Sequence, residues 1–123
     1  MIEGKPAWQE AIDFIENRVH EPLPALKWEP GVSRAAQDHV EDQGKTSELG
    51  HISTDGRTNP DKRVSRYGRR AATGENLYYG RHRGGLIYML GLFIDEGVPN
   101  RGHRTNILNK HWDGTGIYQG AHA

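Results

Sequence analysis

With 123 residues, the chain fits one domain of common size and leaves little room for a second hydrophobic core. Hydrophobic residues make up 34% of it and charged residues 26%, which is polar for a globular protein yet enough to bury a modest core. Sixteen basic residues balance sixteen acidic ones, which excludes a net field toward nucleic acid or anionic membrane, and the absence of cysteine excludes a disulfide framework, a thiolate metal site and a cysteine nucleophile.

Taken in chain order, Trp8, Ile12, Ile15 and Val19 recur at helical spacing between Ala7 and Val19, and Pro6 suits the first turn of that first helix. The run from Glu21 to Pro30 reads as an extended connector, because its prolines remove amide donors and bias the residues before them away from helix. Leu23, Leu26 and Trp28 predict that this connector packs against the rest of the domain. From Val32, the residues Ala35, Ala36, His39, Val40 and Gln43 line one face of a second helix that Gly44 is suited to stop.

Thr58-Asn59-Pro60-Asp61 supplies a capping side chain, a proline and an acidic first turn, predicting a short third helix that ends near Tyr67-Gly68. Asn76-Leu77-Tyr78-Tyr79, between two glycines, predicts a short strand. Leu86, Ile87, Leu90, Phe93 and Ile94 form the most apolar helical stripe, so this helix is expected to be the most buried. It must break around Gly97-Val98-Pro99, and a turn or short helix through Asn106-Ile107-Leu108 leads to a last strand near Gly116-Ile117-Tyr118.

A local basic excess runs from Arg57 to Arg83, but it lacks aromatic interleaving and reads as solvated surface, so no nucleic-acid partner is expected. No stretch approaches the ~20 apolar residues of a membrane span, and no export signal is visible before Trp8.

The chemistry-bearing candidates lie in loops. His51 stands in the glycine-flanked stretch Leu49-Gly50-His51-Ile52-Ser53-Thr54-Asp55-Gly56, where a polar side chain can reach a cleft; the alternative is a free surface histidine. Glu75, in Gly74-Glu75-Asn76-Leu77, shares a strand face with Leu77, and a carboxylate there needs a partner, whether a site or an ion pair with a nearby arginine. His103 belongs to the polar turn Asn100-Arg101-Gly102-His103-Arg104-Thr105-Asn106, as a functional group or as a residue bridging the turn. Asp95 and Glu96 end the apolar helix where its macrodipole disfavours negative charge, so a compensating histidine or cation is expected.

Of the other histidines, His39 reads as a hydrogen-bonded core residue, and His20, His82, His111 and His122 as loop or terminal residues. A His-Glu-x-x-His zinc helix, a Gly-x-Ser-x-Gly elbow, a phosphate-binding glycine loop and a dinucleotide fingerprint are all missing from the sequence.

In order along the chain, Gly50-His51-Ile52-Ser53-Thr54-Asp55-Gly56-Arg57 with Arg63 and Tyr67-Gly68, then Gly74-Glu75-Asn76-Leu77, then the run from Asp95 to Ile107 containing Gly102-His103-Arg104, resemble three segments of the CAP superfamily. That superfamily is named for cysteine-rich secretory proteins, antigen 5 and plant pathogenesis-related proteins, and its module is also called the SCP domain. The resemblance, of bacterial type, extends from about Trp8 to Gly120 and treats residues 1–123 as a single domain.

It implies an α+β fold, an α-β-α sandwich of a small antiparallel sheet between helical layers, with a C-terminal strand missing beyond Gly120. It also implies a cavity lined by two histidines and two acids that in some members binds a divalent cation such as zinc. His51, Glu75 and His103 match three of these positions; the fourth is Asp95 or Glu96, with Glu96 preferred on side-chain reach. The implied function is a noncatalytic, extracellular binding module for an ion and a small apolar or peptide ligand. Two alternatives stand beside it: a metal- or His/Glu-dependent hydrolase of peptides or esters, and a purely structural polar tetrad. Oligomeric state stays open.

Overall fold

The computed structural model describes residues 3–81 and 84–123, so the expectation for His82 lies outside the described residues. In chain order the elements are α1 (Lys5–Glu16), β1 (Lys27–Trp28), α2 (Pro30–Gly44), α3 (Pro60–Ser65), α4 (Gly85–Ile94), α5 (Gly102–Ile107) and β2 (Gly114–Thr115), an α+β set dominated by helix. They divide into two units: the described residues of Met1–Pro24 and Tyr78–His111, and Ala25–Leu77 with Trp112–Ala123.

The first unit holds α1, α4 and α5. Pro6 occupies the first turn of α1, as expected, but the buried residues are Ala7 and Ala11, and the stripe of Trp8, Ile12, Ile15 and Val19 is exposed. Small side chains let α1 approach closely, and Phe14 meets Phe93 of α4 edge-on with ring centres 6.2 Å apart.

The expectation that α4 is the most buried helix is corrected. None of its residues is fully buried, and Leu86, Ile87, Met89 and Leu90 are exposed. The helix is apolar on every side. Within the unit, one side takes Tyr78, whose ring lies 5.0 Å from that of Tyr88, and the C-terminal end takes Phe14, which leaves the Leu86–Leu90 side uncovered.

The second unit holds α2, α3 and the two strands. α2 begins at Pro30, whose lost amide is harmless in a first turn, and buries Ala35, His39 and Gln43 at helical spacing. α3 is capped as the sequence predicts: the Asn59 side chain accepts from the Lys62 amide at 2.9 Å, with Asp61 in the first turn.

β1 and β2 pair in parallel, Lys27 with Gly114 and Trp28 with Thr115, where the resemblance implies an antiparallel sheet. The long stretch between the two strands carries α2, and such a crossover permits the parallel sense that a hairpin forbids. Residues 76–79 form no strand: they have no neighbouring ladder, and Glu75 beside them is fixed by its side chain instead.

The predicted last strand is likewise displaced, to Gly114–Thr115. Beyond it the chain lies along α2, where Ser33 Oγ donates to the Ile117 carbonyl at 2.8 Å and the Ala123 amide donates to the Gly44 carbonyl at 3.1 Å. Gly116 makes that approach possible, since a Cβ there would stand 2.2 Å from the Ser33 nitrogen. No described helix is long and apolar enough to cross a membrane.

Candidate functional site

In the second unit, the site is built outward from α2 and α3. His39 and Gln43, one turn apart and each 2% exposed, both donate through Nε2 to the Gly50 carbonyl, at 2.8 and 2.9 Å. Since a carbonyl only accepts, His39 carries its proton on Nε2, and its buried Nδ1 has no partner. Gly50 has φ of +108°, a conformation glycine adopts without strain, and the chain turns there into His51.

The loop that follows is tied to its surroundings by two aspartates. Asp42 accepts from the Thr54 hydroxyl and amide at 2.6 and 2.7 Å, and Asp55 accepts from the Thr58 hydroxyl and the Arg57 and Thr58 amides. These donors hold both carboxyls below the usual carboxylate range.

Arg63, on α3 and 1% exposed, holds the His51 loop and Glu75 together. Its NH1 donates to Ser53 Oγ at 2.9 Å and the Thr58 carbonyl at 3.1 Å; its NH2 donates to the His51 carbonyl at 3.0 Å and to Glu75 Oε1 and Oε2 at 3.0 and 2.8 Å. Glu75 Oε1 also accepts from His51 Nδ1 at 2.8 Å. A carboxylate cannot donate, so His51 Nδ1 carries a proton. The His51 side chain is 50% exposed, against 17% for Glu75.

In the first unit, α4 stops at Asp95, a left-handed residue with φ of 56°, and α5 starts after a second one, Arg101, with φ of 50°. Aspartate tolerates this backbone better than most residues. Both of its oxygens serve one residue: Oδ2 accepts from the His103 amide at 2.9 Å and Oδ1 from His103 Nδ1 at 2.7 Å. Asp95 is 4% exposed. Glu96, the acid preferred from sequence on reach, is exposed and accepts from the Gly4 amide at 2.6 Å; Asp95 makes the His103 contact.

Two arginines brace this loop. Arg104, 2% exposed, donates through Nε to the Phe93 carbonyl at 2.6 Å and through NH2 to the Ile94 carbonyl at 3.1 Å, satisfying the C-terminal carbonyls of α4. Arg101 pairs with Glu3 and Glu10 at 2.7 and 3.0 Å. The Arg101 guanidinium, with the Gly97 amide on Glu3 and Arg104 on Glu10, lowers both carboxyls to about 2, and the two acids raise Arg101 in return.

The same chemical unit therefore occurs twice, an imidazole whose Nδ1–H is held by a carboxylate, an arrangement that fixes the orientation of the ring. Each acid is already engaged within its own unit, Glu75 by His51 and Arg63, and Asp95 by His103. Among the described residues no group of three or more His, Asp or Glu side chains is gathered for metal binding.

His39 is a buried, bonded residue of α2 as expected, His20 and His111 are exposed, and His122 Nε2 donates to the Glu48 carbonyl at 2.8 Å. Sequence reasoning assigned no role to Arg101 or Arg104, and none to Arg63 beyond its part in the resemblance. The available signal for Arg63 was Glu75, a carboxylate that needs a partner among the nearby arginines.

A family model described as the cysteine-rich secretory protein family, CAP, matches residues 17–119, a span that contains His51, Arg63, Glu75, Asp95, Glu96 and His103. Comparison with curated proteins gives no match, nor does comparison with solved structures.

Proposed function

The chain belongs to the CAP family, whose fold is α-β-α, and on that premise we propose that it is an extracellular binding module whose working groups are the two carboxylate-oriented imidazoles, His51 and His103. The observation that carries this reading is the repeated Nδ1–H to carboxylate bond, at 2.8 Å in one unit and 2.7 Å in the other. Such a bond fixes the ring tautomer and raises the basicity of Nε2, as it does for metal-bound histidines.

The ligand set is then His51 and His103, with Glu75 and Asp95 as orienting acids. The assignment of both pairs to one cavity is taken from the family resemblance. A bound zinc or similar ion supplies a positive centre for a carbonyl or carboxylate of a ligand. The exposure of Leu49 and Ile52, at 65% and 45% on either side of the Gly50-His51 pair, supports a small apolar or peptide ligand.

Zinc titration of chelator-treated protein, followed by calorimetry and thermal unfolding, tests the reading. Binding with a rise in Tm is expected, weakened in His51→Ala and in His103→Ala. No heat and no rise in Tm would end it. Hydrolysis is the lesser reading, since an imidazole on a carboxylate is also a general base; activity on a peptide and ester panel that vanished in both variants would reverse the order.

A further inference from the structure

The loop from Asp95 to His103 is closed by one side chain. Arg101 NH1 donates to the Asp95 carbonyl at 2.8 Å and to the Val98 carbonyl at 3.3 Å, so the guanidinium folds back over the loop that bears it. The same group holds two carboxylates in bidentate fashion, Glu3 through NH1 and NH2 at 2.8 and 2.7 Å, and Glu10 through Nε and NH2 at 3.1 and 3.0 Å. The N-terminal stretch is fastened to the loop at two further points, where Glu3 accepts from the Gly97 amide at 2.7 Å and Glu96 from the Gly4 amide at 2.6 Å.

This is more than an exposed ion pair. The Arg101 side chain is 11% exposed, and every guanidinium nitrogen is engaged. Its backbone is left-handed at φ of 50°, a conformation that glycine adopts without strain and arginine does not. An arginine persists in such a place when its side chain is held, and here the side chain ties both ends of the turn that presents Asp95 and His103.

We infer that Arg101, with Glu3 and Glu10 as its anchors, is the positioning residue for the Asp95–His103 pair, a conclusion that rests on His103 being a working group of the site. Lysine keeps the charge but cannot present two parallel pairs of donors, so Arg101→Lys is the discriminating change. Glu3→Gln removes one anchor and leaves the other.

The experiment reads the His103 imidazole directly. In the metal-free protein, nitrogen-edited NMR is expected to show a slowly exchanging His103 Nδ1 proton on Asp95, and calorimetry measures zinc affinity separately. In Arg101→Lys and Glu3→Gln the Nδ1 proton of His103 is expected to exchange faster while that of His51 is unchanged, with zinc affinity falling about tenfold, as for loss of an outer-sphere support. A folded Arg101→Lys with an unaltered His103 proton would overturn the inference, and if that variant does not fold, the same result in Glu3→Gln does so. Absence of zinc binding by the unmodified protein would remove the metal reading alone, because the proton readout uses no metal.

Discussion

His51 and His103 each donate a ring N–H to a carboxylate, but the two acids differ in what else holds them. Glu75 lies 24 residues from its histidine and is shared with Arg63, a buried cation from a third segment. Asp95 lies eight residues from His103, in the same turn, and spends both oxygens on that one residue. The first pair is a tertiary charge cluster and the second a local loop whose geometry is set by two left-handed residues. Loss of charge should therefore damage the first more, and loss of backbone support the second.

The largest effect is expected at the cation of the first pair. Arg63→Met leaves Glu75 without its counter-ion and removes donors from three carbonyl or hydroxyl acceptors, so it should cost about 3–5 kcal/mol in urea denaturation. A cost near that of an exposed pair, below about 1 kcal/mol, would erase the distinction.

The sharper comparison makes the same chemical change in both places. Glu75→Gln strands a buried guanidinium and should cost about 3 kcal/mol. Asp95→Asn keeps a residue that accepts the left-handed backbone and loses one acceptor, for about 1–2 kcal/mol. Equal losses in parallel urea titrations would mean that Arg63 does not set the two pairs apart.

The smallest effect is a dependence on acid pH. Glu3 and Glu10 are lowered from 4.5 to about 2 in the fold, so their pairing with Arg101 is fully present above about 4.5 and is lost as the pH falls toward 2. Thermal unfolding between pH 6 and 2 should therefore fall more steeply for the native chain than for a Glu3→Gln, Glu10→Gln double variant. Asp42 and Asp55 of the second unit are common to both proteins, so parallel curves would count against the clamp.

Local signals in the sequence carried far. The α3 cap at Asn59, the proline start of α1 and the inward placing of His39 all depend on neighbours within a turn or two, and all are found, whereas Pro30, read as the end of the connector, opens α2. The family was legible through the order of three motifs, and the family model over residues 17–119 bears that out.

What was not legible depends on distant partners. Hydrophobicity marked α4, but burial requires a surface to cover it. Residues 76–79 have the composition of a strand and no ladder to join. Arg63 is one of many basic residues between Arg57 and Arg83, and only the approach of α3 to the His51 loop buries it. Reach does not show which of Asp95 and Glu96 bonds to His103, a contact that depends on the backbone turn at the end of α4.

That turn leaves position 95 answering to two independent demands. Glycine suits its backbone but brings no oxygen, asparagine suits it but offers one acceptor where two are used, and glutamate carries its carboxyl one methylene too far on a residue ill fitted to the left-handed region. A saturation library selected for an intact His103 tautomer should therefore return aspartate nearly alone.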